Sequence, residues 1–424
     1  MSRFDIPLSA VDIFLLPDIV GQIVESKYLA TRGQNKIVGS HWPLQIFSWP
    51  RGQQQIPEII SSSGYPVEIY FITTEDGYIL QLHRIPAGHV NTWSGKSSVP
   101  RPVVYLHHCL LCSSSDWVMN EPGKALAYML ADAGYDVWMG NSRGNTYSRN
   151  HTKLSPESKE FWEFSWYEMG VYDLPASIDY VLEKTNAQKL DYIGYSMGTT
   201  AFFTMMSERP EYSKKVHFMV GLGPVAYIHN MKGPFAALAP FVASIEAMMD
   251  MLGQYELFPS MPLLDHLFET VCDNKAFTAV LCHEILFFLT GANYKELNQE
   301  HLPVILANTP AGTSVRTITH FLQEARSGHF QRYDHGAHTN LKIYGQNYPP
   351  KIDLKKVTTP LALFWANNDY LATPEDVSRL EAELSNVLMS HKVEDPNFTH
   401  LDFVWAMNAD KLLYRHVLKA LKKY

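Results

Sequence analysis

The 424-residue chain reads as an α/β protein: a mostly parallel central sheet with helices on both faces and a helical cap inserted over it. Three observations predict this. From about residue 100, short apolar runs of strand type alternate with helical stretches, the pattern of a parallel sheet covered on both sides. One of those runs breaks at Gly194-Tyr195-Ser196-Met197-Gly198 and resumes with helical spacing, so strand, sharp turn and helix follow directly. Finally, a stretch from about 227 to 345, rich in Met, Phe, Leu and Pro, has helical but no strand periodicity before the alternation returns. The chain is expected to divide into an N-terminal extension, 1–56, a first core segment, 57–226, the cap, 227–345, and a second core segment, 346–424.

In chain order, the extension holds Pro7, Pro17, Pro43 and Pro50 among scattered apolar residues and carries no motif. The alternation PVEIYFITTEDGYILQLHRIP around Glu75-Asp76-Gly77 predicts a hairpin that begins the sheet. PVVYLHH, Pro102 to His108, is a strand of the kind buried on both faces; the helical stretch KALAYMLADAG and the strand YDVWM follow. Leu174, Ile178, Val181 and Leu182 make a helical face in DLPASIDYVLEKT ahead of the elbow strand. After the elbow helix come the strand VHFMVGLGPVA and the cap. The series ends with the strand PLALFWANND, the helix PEDVSRLEAEL, the strand NVLMSHKVE and a last helix from about Asp402.

The elbow is the chemical centre of the sequence. Such a turn exposes a serine hydroxyl at the top of a sheet with a helix N-terminus behind it, which favours developing negative charge. Gly194 and Gly198 leave room for a turn that a Cβ would crowd, and the Met197 amide is free to donate to an oxyanion. The pattern G-x-S-x-G alone is weak, since roughly one chain in ten of this length holds it by chance. It also occurs at Gly140-Asn141-Ser142-Arg143-Gly144, but polar, turn-rich residues follow Ser142 where an elbow needs a helix, so Ser142 is expected to be structural.

A serine hydroxyl needs a histidine base held by a carboxylate, and behind an elbow of this kind they follow in the order acid, then histidine. Asp369 ends an apolar strand at the sheet edge where ligands bind. Alone it reads as a turn former; in order with the others it is the candidate acid. Of the later histidines, His391 falls in a strand and His416 in the last helix, whereas His400 occupies the loop EDPNFTH and suits a mobile base. A second oxyanion donor is expected in the loop after PVVYLHH, from the backbone amide of Leu110. His107 and His108 beside it are read as structural neighbours.

Bulk properties exclude other classes. Composition is 46% hydrophobic and 18% charged, and 35 basic residues against 43 acidic give a net charge of -8 without a dense basic run before the C-terminal LKALKKY, so nucleic acid is not an expected partner. The apolar stretch from Ala276 to Thr290 is interrupted by His283 and Glu284 and is too short to span a bilayer, so no transmembrane segment is predicted. The four cysteines complete no metal pattern with histidine; Cys272 and Cys282 fit either a disulfide or two buried thiols at helical spacing. Asp5, Asp12 and Asp18 interrupt the apolar start where a signal peptide needs a continuous core. Sequons at Asn150 and Asn397 would accept sugar in a secretory protein.

The residues GYPVEIYFITTEDGYILQLHRIP, AGYDVWMGNSRGNTYSR, EFWEFSWYEMGVYDLPASIDY, NTPAGTSVRTITHFLQEARSGHFQRYDHG and THLDFVWAM resemble the acid lipase family, which contains gastric and lysosomal acid lipases, over about residues 57–420. The resemblance implies an alpha/beta-hydrolase fold with a cap and lid. It implies hydrolysis of triacylglycerols or cholesteryl esters at a lipid–water interface without a cofactor, secretion or lysosomal residence, and glycosylation. It places the triad at Ser196, Asp369 and His400, the oxyanion amides at Leu110 and Met197, and a cap disulfide between Cys272 and Cys282. The chain departs from the family in reading His108-Cys109-Leu110 where His-Gly-Leu is usual, and Tyr195-Ser196-Met197 where His-Ser-Gln is usual. A side chain at 109 is expected to displace the donor if the backbone there needs positive φ or close packing. That departure leaves a lipid-binding or storage protein as the alternative function.

Overall fold

Runs of β-branched and aromatic residues set the sheet. The computed structural model describes residues 55–89, 100–258, 287–288, 290–299 and 301–424. The strands in chain order are β1 (Glu68–Thr73), β2 (Tyr78–Ile85), β3 (Val103–His107), β4 (Asp136–Met139), β5 (Asn150–His151), β6 (Leu190–Tyr195), β7 (Val216–Leu222), β8 (Glu256–Leu257), β9 (Thr313–Ser314), β10 (Leu361–Trp365) and β11 (Val387–Lys392). The main sheet runs β1-β2-β4-β3-β6-β7-β10-β11, with β5 paired to β2. From β4 to β11 every pairing is parallel. The hairpin β1–β2, turning at residues 75–77, and the β2–β4 pairing are antiparallel.

Strands β3, β4 and β6 are buried along their whole length. Their alternation sends Val104, Leu106, Val137, Ile193 and Tyr195 into one core with the C-terminal helices, and Val103, Tyr105, Trp138 and Tyr192 into the other with Leu174–Thr185 and the elbow helix. Two apolar faces require two helical layers, which is why helices flank both sides. The helix expected in KALAYMLADAG is shorter, Leu126–Asp132.

Between β7 and β10 the described elements are helices, chiefly Val242–Met251, Leu302–Asn308, Val315–Ser327 and Ala337–Tyr344, together with the small antiparallel pair β8–β9. Two-residue strands carry no period, so the sequence predicted none there. The cap's own core, including Ile228, Val242 and Leu322, takes in Ala372 and Val377 from beyond β10, so cap and sheet share apolar contacts. All of these elements lie in one unit, Trp49–Tyr424. The run Pro234–Met251 is long and apolar enough, by length and composition, to cross a membrane. Sequence reading did not single it out. It buries Ala239 and Val242 against the cap while Leu238, Phe241 and Met251 stay exposed, which makes it an amphipathic surface helix.

Candidate active site

Ser196 lies between β6 and the helix Met197–Glu208, at φ 52° and ψ -116°. A positive φ in a residue with a side chain is a strained turn, held here by its surroundings. The two glycines show what holds it. A Cβ on Gly194 would stand 2.9 Å from the Gly198 carbonyl, and one on Gly198 would stand 2.3 Å from the backbone oxygen of His107. The elbow therefore closes on itself and presses against the end of β3, whose His107 is in register with Gly194.

The three residues picked from separate elements meet. His400 Nε2 is 2.8 Å from Ser196 Oγ, and His400 Nδ1 is 2.7 Å from Asp369 Oδ2. With the carboxylate as acceptor, the proton sits on Nδ1 and Nε2 is left to accept from the serine. Asp369 is held by the amides of Leu371 and Ala372, each donating to Oδ1 at 2.9 Å. The loop carrying His400 has two braces. Tyr195 Oη donates to the His400 carbonyl at 2.6 Å, and Asp402 Oδ2 accepts from Thr399 N at 2.7 Å and from Asn293 Nδ2 at 2.9 Å. Burial pushes the Asp402 carboxyl up to about 7, outweighing the hydrogen bonds from Thr399 and Asn293 that pull it down. The bracing roles of Tyr195 and of the Asn293–Asp402 pair escaped the sequence reading because partners 205 and 109 positions apart leave no spacing to recognise.

Leu110 shares an apolar cleft with Ser196, lined also by Val225, Ile228, Ile318 and Phe321. At about 70 Å³ the cleft is far below the several hundred of a typical ligand pocket. Helix-start amides such as that of Met197 lack intrahelical acceptors. Cys109 does not occupy a strained position: positive φ falls on Leu111, at 62°. Of the two conditions for displacing the donor, positive φ at 109 is therefore not met. Cys109 is instead joined to Cys112 by a disulfide that sequence reading did not anticipate. Cys272 and Cys282, whose pairing was expected, lie outside the described residues.

Ser142 is followed by turns rather than a helix. Its amide donates to His108 Nε2 at 3.0 Å, and its Oγ is 3.1 Å from His107 Nε2. His108 in turn donates from Nδ1 to the Cys109 carbonyl at 2.7 Å. Burial lowers His108 to about 4, so it stays neutral and keeps this tautomer. Both histidines and Ser142 are thus members of the scaffold under the Leu110 loop. Phe258 and Phe288 of the cap are exposed. Asn150 and Asn397 are both exposed.

Comparison with known proteins agrees with this architecture. Residues 56–121 match a partial alpha/beta-hydrolase lipase region, and residues 102–406 match the alpha/beta hydrolase fold. Lipase 3 of Drosophila melanogaster is 43% identical over 368 residues, covering 87% of this chain and 92% of that one. Gastric triacylglycerol lipase of Bos taurus is 42% identical over 373 residues, with 88% and 92% covered. The human lysosomal acid lipase/cholesteryl ester hydrolase is 40% identical over 376 residues, again with 88% and 92% covered. Among solved structures, a candidate lipase from Sulfolobus solfataricus shares the fold at TM-score 0.59 and 16% identity, over 84% of this chain and 94% of its own. Sheet order, elbow and matched fold together define an alpha/beta hydrolase. Within that class, this chain belongs to the acid lipase family.

Proposed function

We propose that the chain is a lipid ester hydrolase of triacylglycerols or steryl esters, working through Ser196, His400 and Asp369. The observation that carries the reading is the continuous 2.8 Å and 2.7 Å relay from Ser196 through His400 to Asp369 at an apolar cleft. His400 Nε2 takes the proton as Ser196 Oγ attacks the ester carbonyl. The tetrahedral oxyanion accepts from the amides of Leu110 and Met197. The C–O bond to the alcohol then breaks, His400 returns the proton to that oxygen, and an acyl-serine remains. Water, deprotonated by His400, attacks the acyl-serine; the acyl C–Oγ bond breaks, His400 returns the proton to Ser196 Oγ, and the fatty acid leaves. Asp369 keeps the Nδ1 proton in place and faces the imidazolium as it forms.

The activities for which the gastric and lysosomal relatives are named support this substrate class. Exposed Leu238, Phe241, Met251 and Leu252 form an apolar cap surface suited to a dispersed lipid phase. A secreted or lysosomal location is consistent with a disulfide at Cys109–Cys112 and with exposed sequons at Asn150 and Asn397. The test is covalent labelling with a fluorophosphonate, mapped by peptide mass spectrometry. An adduct on Ser196 that disappears in His400→Ala, together with a loss of turnover of at least about 10⁴-fold in Ser196→Ala, is expected. A folded protein that stays unlabelled from pH 4 to 8 would refute the hydrolase.

A further inference from the structure

The loop that carries the Leu110 amide is built in an unusual way. Cys109 and Cys112 stand on either side of Leu110-Leu111, with Cα atoms 5.2 Å apart and joined through their sulfurs. Inside this bracket Leu111 holds φ 62°, a conformation that a leucine keeps only where its surroundings over-determine it. The ends of the bracket are tied down. Cys112 N donates to the Cys109 carbonyl at 3.3 Å, His108 Nδ1 donates to the same carbonyl at 2.7 Å, and Asn145 Nδ2 donates to the Cys112 carbonyl at 3.4 Å. From the cap, Ala311 N donates to the Leu111 carbonyl at 2.7 Å. The one residue of the turn that lines the Ser196 cleft is Leu110.

A bridge across so few residues restricts the unfolded chain little, because the entropic gain grows with the length of the closed loop. Its effect is local. Asp116 stands beside it, with Oδ2 3.6 Å from Cys109 Sγ, and these three side chains form a compact buried group of metal-ligand type. Sulfurs joined to one another are not thiolates, so the arrangement is a staple rather than a metal site.

We infer that the Cys109–Cys112 disulfide is a positioning device for the acyl-transfer step, holding the turn that aims the Leu110 amide at the oxyanion. The inference rests on the proposed triad and oxyanion roles. It makes turnover depend on the redox state of a pair outside the triad. Forming the bridge removes two protons and two electrons from the two thiols, taken up by a small disulfide oxidant such as glutathione disulfide, which becomes two thiols.

The test combines thiol accounting with kinetics on the full chain. Protein unfolded in chaotrope without reductant and treated with an alkylating agent should leave Cys109 and Cys112 unmodified, and should modify both after a dithiol reductant. Cys109→Ala, Cys112→Ala and the double variant should each lower kcat by about tenfold or more, the scale of a misplaced oxyanion donor. KM for a soluble ester should change less than about threefold. Fluorophosphonate labelling of Ser196 should slow in parallel with kcat. The double variant should be no worse than either single one, because all three remove the same bond. Additive losses, free thiols in the unreduced protein, or free thiols with stoichiometric zinc would each overturn the staple. Labelled, active wild type with unchanged kcat in the variants would reject the staple alone, whereas an unlabelled wild type would reject the hydrolase reading beneath it.

Discussion

Asp402 lies two positions beyond His400, and its protonation sets how firmly the base loop is held as pH changes. Its folded value is raised from 3.8 to about 7 by burial. The native state therefore keeps the proton where the unfolded chain loses it. The stability it contributes is intact below about pH 4 and is withdrawn as pH rises to about 7, by up to about 4 kcal/mol at 1.36 kcal/mol per unit. Histidines act in the opposite sense. Burial lowers His83 and His108 to about 4 and His320 to about 3, so each contributes stability that is present above about pH 6.5 and lost as pH falls toward those values. In Asp402→Asn the side-chain oxygen still accepts from Thr399 and Asn293. Urea unfolding at a series of pH values should show this variant gaining on the wild type as pH rises from 4 to 7, and a constant difference would contradict the assignment. A second residue-scale prediction concerns Asp369→Asn: the amide can donate where the acid accepted, turning the imidazole to the wrong tautomer. We expect kcat to fall by about 10⁴-fold at neutral pH with KM little changed, measured on a soluble ester.

At the scale of elements, the helix Val315–Ser327 and the segment after β7 line the cleft beside Ser196, through Ile318, Phe321, Val225 and Ile228. The cleft measures only about 70 Å³, so the bulk of its lining should bear on which acyl chains are accepted. Ile318→Trp should shift preference toward short acyl chains, with kcat/KM for long-chain esters falling at least about tenfold relative to butyrate esters; an unchanged ratio would place the acyl group elsewhere. The sheet and the elbow were legible because each has a local signature: alternation in the β1–β2 hairpin, an unbroken apolar run in β3, and strand–turn–helix around Ser196. What stayed hidden had none. The β8–β9 pair is two residues long, the wide turn Met169–Asp173 continues a helical pattern, and Cys109–Cys112 forms across a loop whose shape depends on Asn145, His108 and Ala311. Non-local packing decides such features, and a linear pattern does not record it.

For the whole molecule, helices cover both faces of the sheet, while the described part of the cap keeps several large apolar side chains exposed. Phe241, Met251 and Leu252 are 61%, 81% and 66% exposed. Replacing Phe241 and Met251 together by serine should weaken adsorption to triglyceride emulsions by at least about tenfold, given roughly 1.5–3 kcal/mol for each large apolar side chain buried. Flotation of the bound protein measures this, with circular dichroism as the check on folding, and equal flotation would move the docking face elsewhere. The hydrogen bond from Tyr195 Oη to the His400 carbonyl links the neighbour of the nucleophile to the loop of the base. Since this phenol replaces the histidine usual at that place in the family, the elbow pentapeptide is not a portable cassette. Grafting a relative's version into this chain would leave the far loop without one of its two braces, and chimaeras should recover fully only when both segments are exchanged as a matched pair.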